Sequence, residues 1–316
     1  MENKEELRKL FHRKVIPKMV WREQLSEEDR GILKEWREKF NPNLNLLKFY
    51  TNKNILFEMV KYLGSNELIF HKQIPKGQEK IAPIRHLFAS KVENLLFHIY
   101  FYKVLEEPKT VFCGLSNFKY RPVAPINLHE KKKWQREFWT GEKREYLNYI
   151  KSYNFGLDID GKNFTESYKD AKKVFEFLKK FEIKFSIWCS GKKGWHLIIP
   201  YEEMEGLIGG FEVNKVVTAC KGLMVDLVKM LKLKDVDYKI YSPSRYLKCC
   251  YTVDTRNGNI IYPLSDDEFR TFDVEYMTQE YLLKQKDLGF RGAYIDRPSN
   301  PKGFKDMILY IEEKSK

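Results

Sequence analysis

Apolar positions near the start of the chain recur at helical spacing. Ile32, Leu33, Trp36 and Phe40 share one face, behind Ser26 and the acid Asp29 three residues later, a capping-box-like start. Leu87, Val92, Leu95, Leu96 and Tyr100 repeat the pattern, and the Gly/Pro/Lys-rich stretch 73–83 between them reads as a loop. Residues 1–108 are therefore expected to be a mainly helical, charged region. From about Thr110 the texture changes: 111–115 and 120–126 read as strands or extended loops. From Tyr153 strand and helix alternate. A strand is expected over 155–160, then an amphipathic helix over 165–180 with Ala171, Val174, Phe175 and Leu178 on one face. Strands at 184–189 and 195–200 flank a Gly/Lys turn, and a helix follows over 213–231. Strands at 246–253 and 260–263 enclose a turn at 254–259, and 278–288 and 303–313 read as helices. The pattern gives an α+β class and divides the chain at 108/109 into a helical N-terminal region and a core with C-terminal helices over 109–316.

Composition narrows the partners. At 316 residues the chain has room for roughly two domains or one large one. Its 57 Lys+Arg against 44 Asp+Glu give +13 and a pI near 9.2, which favours polyanionic partners. With 43% apolar and 32% charged residues and a mean hydropathy of −0.55, the composition is globular and not disordered. No apolar stretch approaches the ~20 residues that span a bilayer, and the opening residues lack the apolar core of a secretory signal, so no membrane is expected. The basic run Lys131, Lys132, Lys133 reads as a solvated face. Cys113, Cys189, Cys220, Cys249 and Cys250 are odd in number and contain no CxxC pair, so neither a disulfide framework nor a structural zinc is indicated. Cys249 and Cys250 would point to opposite faces of a strand. A cytoplasmic, reducing location follows, nucleoid-associated if the source is prokaryotic.

Three elements carry candidate chemistry. On a strand, Leu157 and Ile159 enter the core while Asp158 and Asp160 project together. Two carboxylates so close repel unless a cation lies between them, and hard oxygen ligands suit Mg²⁺ or Mn²⁺. Two surface acids at a strand end would be the plainer account of the same pair. The second element is Ser190, Gly191, Lys192, Lys193, Gly194, Trp195 and His196, lying between two apolar strands. Its glycines permit a tight turn and close backbone approach, and its hydroxyl, ammonium and imidazole donors suit phosphate oxygens. A basic hairpin turn with an incidental histidine is the alternative. The third is Val236 and Asp237, followed by Arg245, Lys248 and a turn ending in Gly258. Asp237 could complete a carboxylate trio, with Asp235 its neighbouring competitor.

In this order the three elements resemble the catalytic subunit of the archaeo-eukaryotic primase superfamily and its prim-pol relatives, over about residues 153–264. The matching positions are Asp158 and Asp160; Ser190, Gly191, Lys192, Lys193, Gly194 and His196; then Asp237, Arg245, Lys248 and Gly258. The resemblance implies a prim-pol fold, an RRM-like antiparallel or mixed sheet flanked by helices beside a smaller α/β unit. It implies metal binding and catalysis by Asp158, Asp160 and Asp237, with two Mg²⁺ or Mn²⁺ ions. It implies nucleoside triphosphate binding (NTP or dNTP) by the Ser190–His196 loop, Arg245 and Lys248. The expected activity is primer synthesis on single-stranded DNA, as in DNA replication, with a large primase subunit as one conceivable partner. Extension or gap filling in repair, a non-catalytic nucleic-acid-binding subunit, or a nuclease using the same acids are the rivals.

Two departures from the pattern bear on the site. Lysine stands at 192 and 193 where the family often has arginine, which keeps charge without bidentate geometry. Asp254 stands where members often carry histidine, and an acid there would repel a phosphate, so no nucleotide role passes to Asp254.

Overall fold

A computed structural model describes residues 4–40, 44–64, 66–71, 84–119, 138, 145–205, 212–261, 263–278 and 298–315. The stretches 73–83, 120–126 and 131–133, and the helix expected over 278–288 beyond Thr278, lie outside them.

The N-terminal region opens with α1 (Lys4–Leu10), a single π-helical turn (Phe11–Val15) and α2 (Ile16–Trp21). The helix α3 (Glu27–Phe40) follows, started by Ser26 and Asp29, whose side chains and backbone N–H groups exchange hydrogen bonds at 2.9 and 3.2 Å. Trp36 of α3 is buried and stacks on Phe11, ring centroids 3.9 Å apart, tying α3 to the π turn. Next come α4 (Leu44–Tyr50) and α5 (Lys53–Leu63), the latter capped by Asn52.

This region is not helical throughout. It contributes β1 (Asn66–His71) and β2 (Ile84–Leu87) ahead of α6 (Val92–Phe101). Leu87 therefore ends a strand and does not open the helix, because its backbone pairs with Leu68. β3 (Thr110–Phe118) pairs with β1 across the 108/109 position. The order of this sheet is β2-β1-β3-β4, with β4 (Ile150–Tyr153) beside the end of β3 and β8 (Tyr246–Lys248) beside its beginning. One sheet thus draws on residues from both sides of the expected boundary.

A second sheet has the order β5-β7-β6, from β5 (Phe155–Asp160), β6 (Ser186–Cys189) and β7 (Gly194–Ile199). The helix α7 (Phe164–Lys180) packs Ala171, Val174, Phe175 and Leu178 into the core, the face the periodicity predicts. α8 (Val213–Leu231) matches the expected helix, and α9 (Asp266–Arg270) and α10 (Pro301–Ser315) close the chain. Every strand pair among the described residues is antiparallel.

The strand expected over 246–253 is broken. β8 leaves β3, and β9 (Thr252–Val253) pairs with β10 (Ile260–Ile261) instead. Between them Tyr251 adopts a left-handed φ of 60°, so the chain can exchange one partner for another. Cys249 and Cys250 lie in this turn, both wholly buried. No helix among the described residues is long and apolar enough to cross a membrane.

Candidate active site

The chain passes from one sheet to the other at Asn154, between β4 and β5, and the two sheets approach closely there. A Cβ at Gly156 would lie 3.1 Å from Leu115 and 3.4 Å from Leu247. This approach brings β8 beside β5 and β7. A cavity of about 170 Å³ lies between them, lined by Asp158, Asp160, Ser190, His196, Lys248 and Arg256 with Phe112, Tyr246 and Leu247.

Asp158 and Asp160 project from β5 as alternation requires, while Leu157 and Ile159 are wholly buried. Burial, and then the neighbouring Asp158 charge, raise the Asp160 carboxyl above its usual range, against the pull of the Lys193 and Lys248 ammonium groups. Asp158 Oδ1 is buried and accepts no hydrogen bond from the described residues. An orphaned carboxylate oxygen beside a second acid is the donor set a hard divalent cation satisfies. The pair fits such an ion on these grounds.

His196 stands directly across the ladder from Asp158. Its Nδ1 receives the Trp188 indole N–H at 3.1 Å, and Nε2 lies 3.4 Å from Asp158 Oδ1. Indole can only donate, so Nδ1 must accept, and the neutral ring carries its proton on Nε2, towards the acid. Trp188 is invisible as a site residue in sequence, being one more apolar position on a strand.

The Ser190–Gly194 loop closes the β6–β7 hairpin. Ser190 N–H donates to Gly194 O at 2.8 Å, and Ser190 Oγ accepts from Gly194 N–H at 3.2 Å. Gly194 leaves room for Asp160: a Cβ there would sit 2.5 Å from its Oδ1. Gly191 has φ +90°, and its Cβ would meet Asp254 at 3.0 Å. Lys192 is exposed and Lys193 half-buried, and neither lines the cavity.

The cations come from elsewhere. Lys248 of β8 is buried and donates to Ser190 O and, at 2.8 Å, to Asp254 Oδ2. Arg256 donates to both oxygens of Asp254 through Nε and to Oδ2 through Nη2 at 2.6 Å. Burial would push the wholly buried Asp254 up, but Arg256 and Lys248 outweigh it and hold the carboxyl at about 2. Burial lowers the Lys248 ammonium, with Asp254 opposing. Asn257 and Asn259 both donate to Gly191 O, at 2.5 and 2.9 Å, tying the same turn to the loop. Asp254 is therefore paired with two cations and anchors both. Sequence reasoning missed Arg256, whose only signal was its place in the turn before Gly258.

Asp237 and Arg245, too, lie off the cavity. Segment 235–237 runs beside β5, bridging Val236 to Ile159, and Asp237 N–H donates to Asp158 O at 2.9 Å. Asp237 is thus Asp158's neighbour in the ladder, yet its Oδ1 accepts the Lys239 N–H at 2.8 Å. Among the described residues no three acid, His or Cys side chains converge as a ready metal cage. Arg245 is exposed and outside the cavity lining.

No family model matches the sequence, and no curated protein does. The fold is similar to solved structures, among them the polymerase domain of Ligase D from Mycobacterium tuberculosis in complex with DNA. That likeness has 12% identity and a TM-score of 0.46, over 79% of this chain and 91% of the other.

Proposed function

We propose that the protein is a nucleotidyltransferase of the prim-pol type, joining nucleotides on a DNA template with divalent metal ions held at Asp158 and Asp160. One observation carries this reading. A single small cavity sets two carboxylates on one wall against Lys248 and Arg256 on the other. Nucleic-acid binding alone gains nothing from clustered acids, and a nuclease has no use for two anchored cations where a triphosphate would lie.

Each residue has a role in that reaction. Asp158 and Asp160 hold the cation. Divalent ions held there would supply Lewis acidity, favouring ionisation of a 3′-hydroxyl and offsetting the charge of the pyrophosphate leaving group. Lys248 and Arg256, fixed by Asp254, hold the triphosphate oxygens, Arg256 offering a planar fork and Lys248 a point charge. His196 presents its Nε2–H to the same space and gives a hydrogen bond to a phosphate oxygen. Ser190 and Gly191 bring backbone close to the ligand. Asp237, beside Asp158 in the ladder, would complete the trio if its carboxylate gave up the Lys239 N–H for the cation.

Primer initiation separates the primase reading from extension or gap filling. Labelled NTPs or dNTPs, single-stranded DNA without primer, and Mg²⁺ or Mn²⁺ should give short products in a primase. Products only on a primed template would assign the site to extension, and none on either would refute transfer.

A further inference from the structure

Away from this cavity, a groove of about 430 Å³ lies between α6 and the helices α1 and α2 with their π turn. Trp21, Phe97, His12 and Tyr100 line it, with the exposed cations Lys9 and Arg13. Glu93 is the one carboxylate in its lining among the described residues.

The described residues expose seven large apolar side chains; two of them, Trp21 and Phe97, line this groove, and two more, Phe57 and Phe101, pack against those rings. Phe97 and Phe101 stack at 5.7 Å, 55% and 58% exposed. Trp21 meets Phe57 at 6.0 Å, with the Lys53 ammonium 4.3 Å over the Trp21 ring. Burial lowers the His12 imidazole to about 3, with Arg8 adding to the effect, so the ring is neutral at pH 7 and offers one donor and one acceptor. Among the described residues it has no hydrogen-bond partner, and neither has the Tyr100 hydroxyl.

We infer that this groove binds unpaired bases of a single-stranded nucleic acid, stacking them on Trp21 and Phe97 with flanking phosphates at Lys9 and Arg13. Exposed rings interleaved with cations suit a ligand that is π-faced and polyanionic at once. Neutral His12 and Tyr100 suit the donors and acceptors of a base edge. A purely apolar peptide anchor would use neither the unpartnered polar groups nor the rim charge. The inference deepens the proposed function and rests on its nucleic-acid reading, giving the N-terminal helices the task of holding strand outside the catalytic cavity.

Fluorescence anisotropy of labelled (dT)20 with the full chain tests it, beside an abasic oligomer of equal length. Phe97→Ala with Arg13→Glu, both at exposed positions, should weaken (dT)20 binding roughly tenfold or more, with unchanged circular dichroism. Wild type should bind (dT)20 more tightly than the abasic strand. Equal binding of the two strands, or wild-type affinity in the double variant, would overturn the inference and leave the groove to a protein partner. Loss of (dT)20 binding in the groove variant, with no nucleotide incorporation by wild type, would instead keep the groove and refute the transferase reading.

Discussion

Lys248 Nζ lies 2.8 Å from Asp254 Oδ2, inside a turn where Asp254 has no exposure to solvent. Taking one partner from a buried pair leaves an uncompensated charge, at a cost of roughly 3–5 kcal/mol. Asp254→Ala should therefore lower stability on that scale and loosen both cations of the cavity. Asp254→Asn, which keeps shape and some hydrogen bonding, should lose less stability and show mainly weaker triphosphate binding. Because the folded carboxyl is held at about 2 against 3.8 unfolded, its contribution is present above about pH 4 and is lost as pH falls towards 2. Acid titration of stability should show this loss in wild type and a shallower one in Asp254→Asn.

Gly194→Ala places a methyl group 2.5 Å from Asp160 Oδ1 and 3.0 Å from Ser190 Oγ and Ile159 O. The carboxylate must swing away or the hairpin must shift. The variant should fold, since β7 otherwise keeps its pairing, but incorporate nucleotide at least tenfold more slowly. Steady-state incorporation with a circular dichroism control checks this; wild-type rates would show that Asp160 does not need its observed position.

The Trp188 indole fixes His196 as the Nε2–H tautomer. Trp188→Phe keeps the packing and removes that donor, at a cost of about 1 kcal/mol for one hydrogen bond. Nitrogen chemical shifts of labelled histidine should report Nε2–H alone in wild type and a mixture in the variant.

Crowding at Asp158 and Asp160 should be relieved by a divalent ion. Mn²⁺ at a hundred times its dissociation constant should stabilise the folded chain by about 2.7 kcal/mol, roughly 4 °C in melting temperature. Asp160→Asn should lose most of that shift. The raised Asp160 carboxyl also gives the effect a pH sign: the shift should grow as pH rises from the carboxylate range to neutrality, because protons compete with the cation.

Much of this was legible in the sequence where chemistry and periodicity coincide. The alternation through Asp158 and Asp160 and the apolar face of α7 appear in the structure as the pattern predicts. What the pattern hid depends on distant pairing. The local pattern reads through β1 and β2 as helix or loop, because β2 pairs with β1 and β1 with β3, some forty residues further on. Asp254 looked adverse because an acid's neighbours in space, Lys248 and Arg256, decide its sign, and local sequence does not show them converging. Arg256 and Trp188 were silent for the same reason. Asp237 shows the reverse: its place beside Asp158 was readable, but its side chain is engaged by Lys239.

The central claim is that Asp158 and Asp160 hold the ions that drive nucleotide transfer. Its most direct test compares wild type with Asp158→Ala/Asp160→Ala for labelled nucleotide incorporation on primed and unprimed templates, in Mg²⁺ and in Mn²⁺, with DNA affinity measured alongside. Incorporation should vanish in the double variant while DNA affinity stays within about twofold. Incorporation at the wild-type rate in that variant would contradict the account.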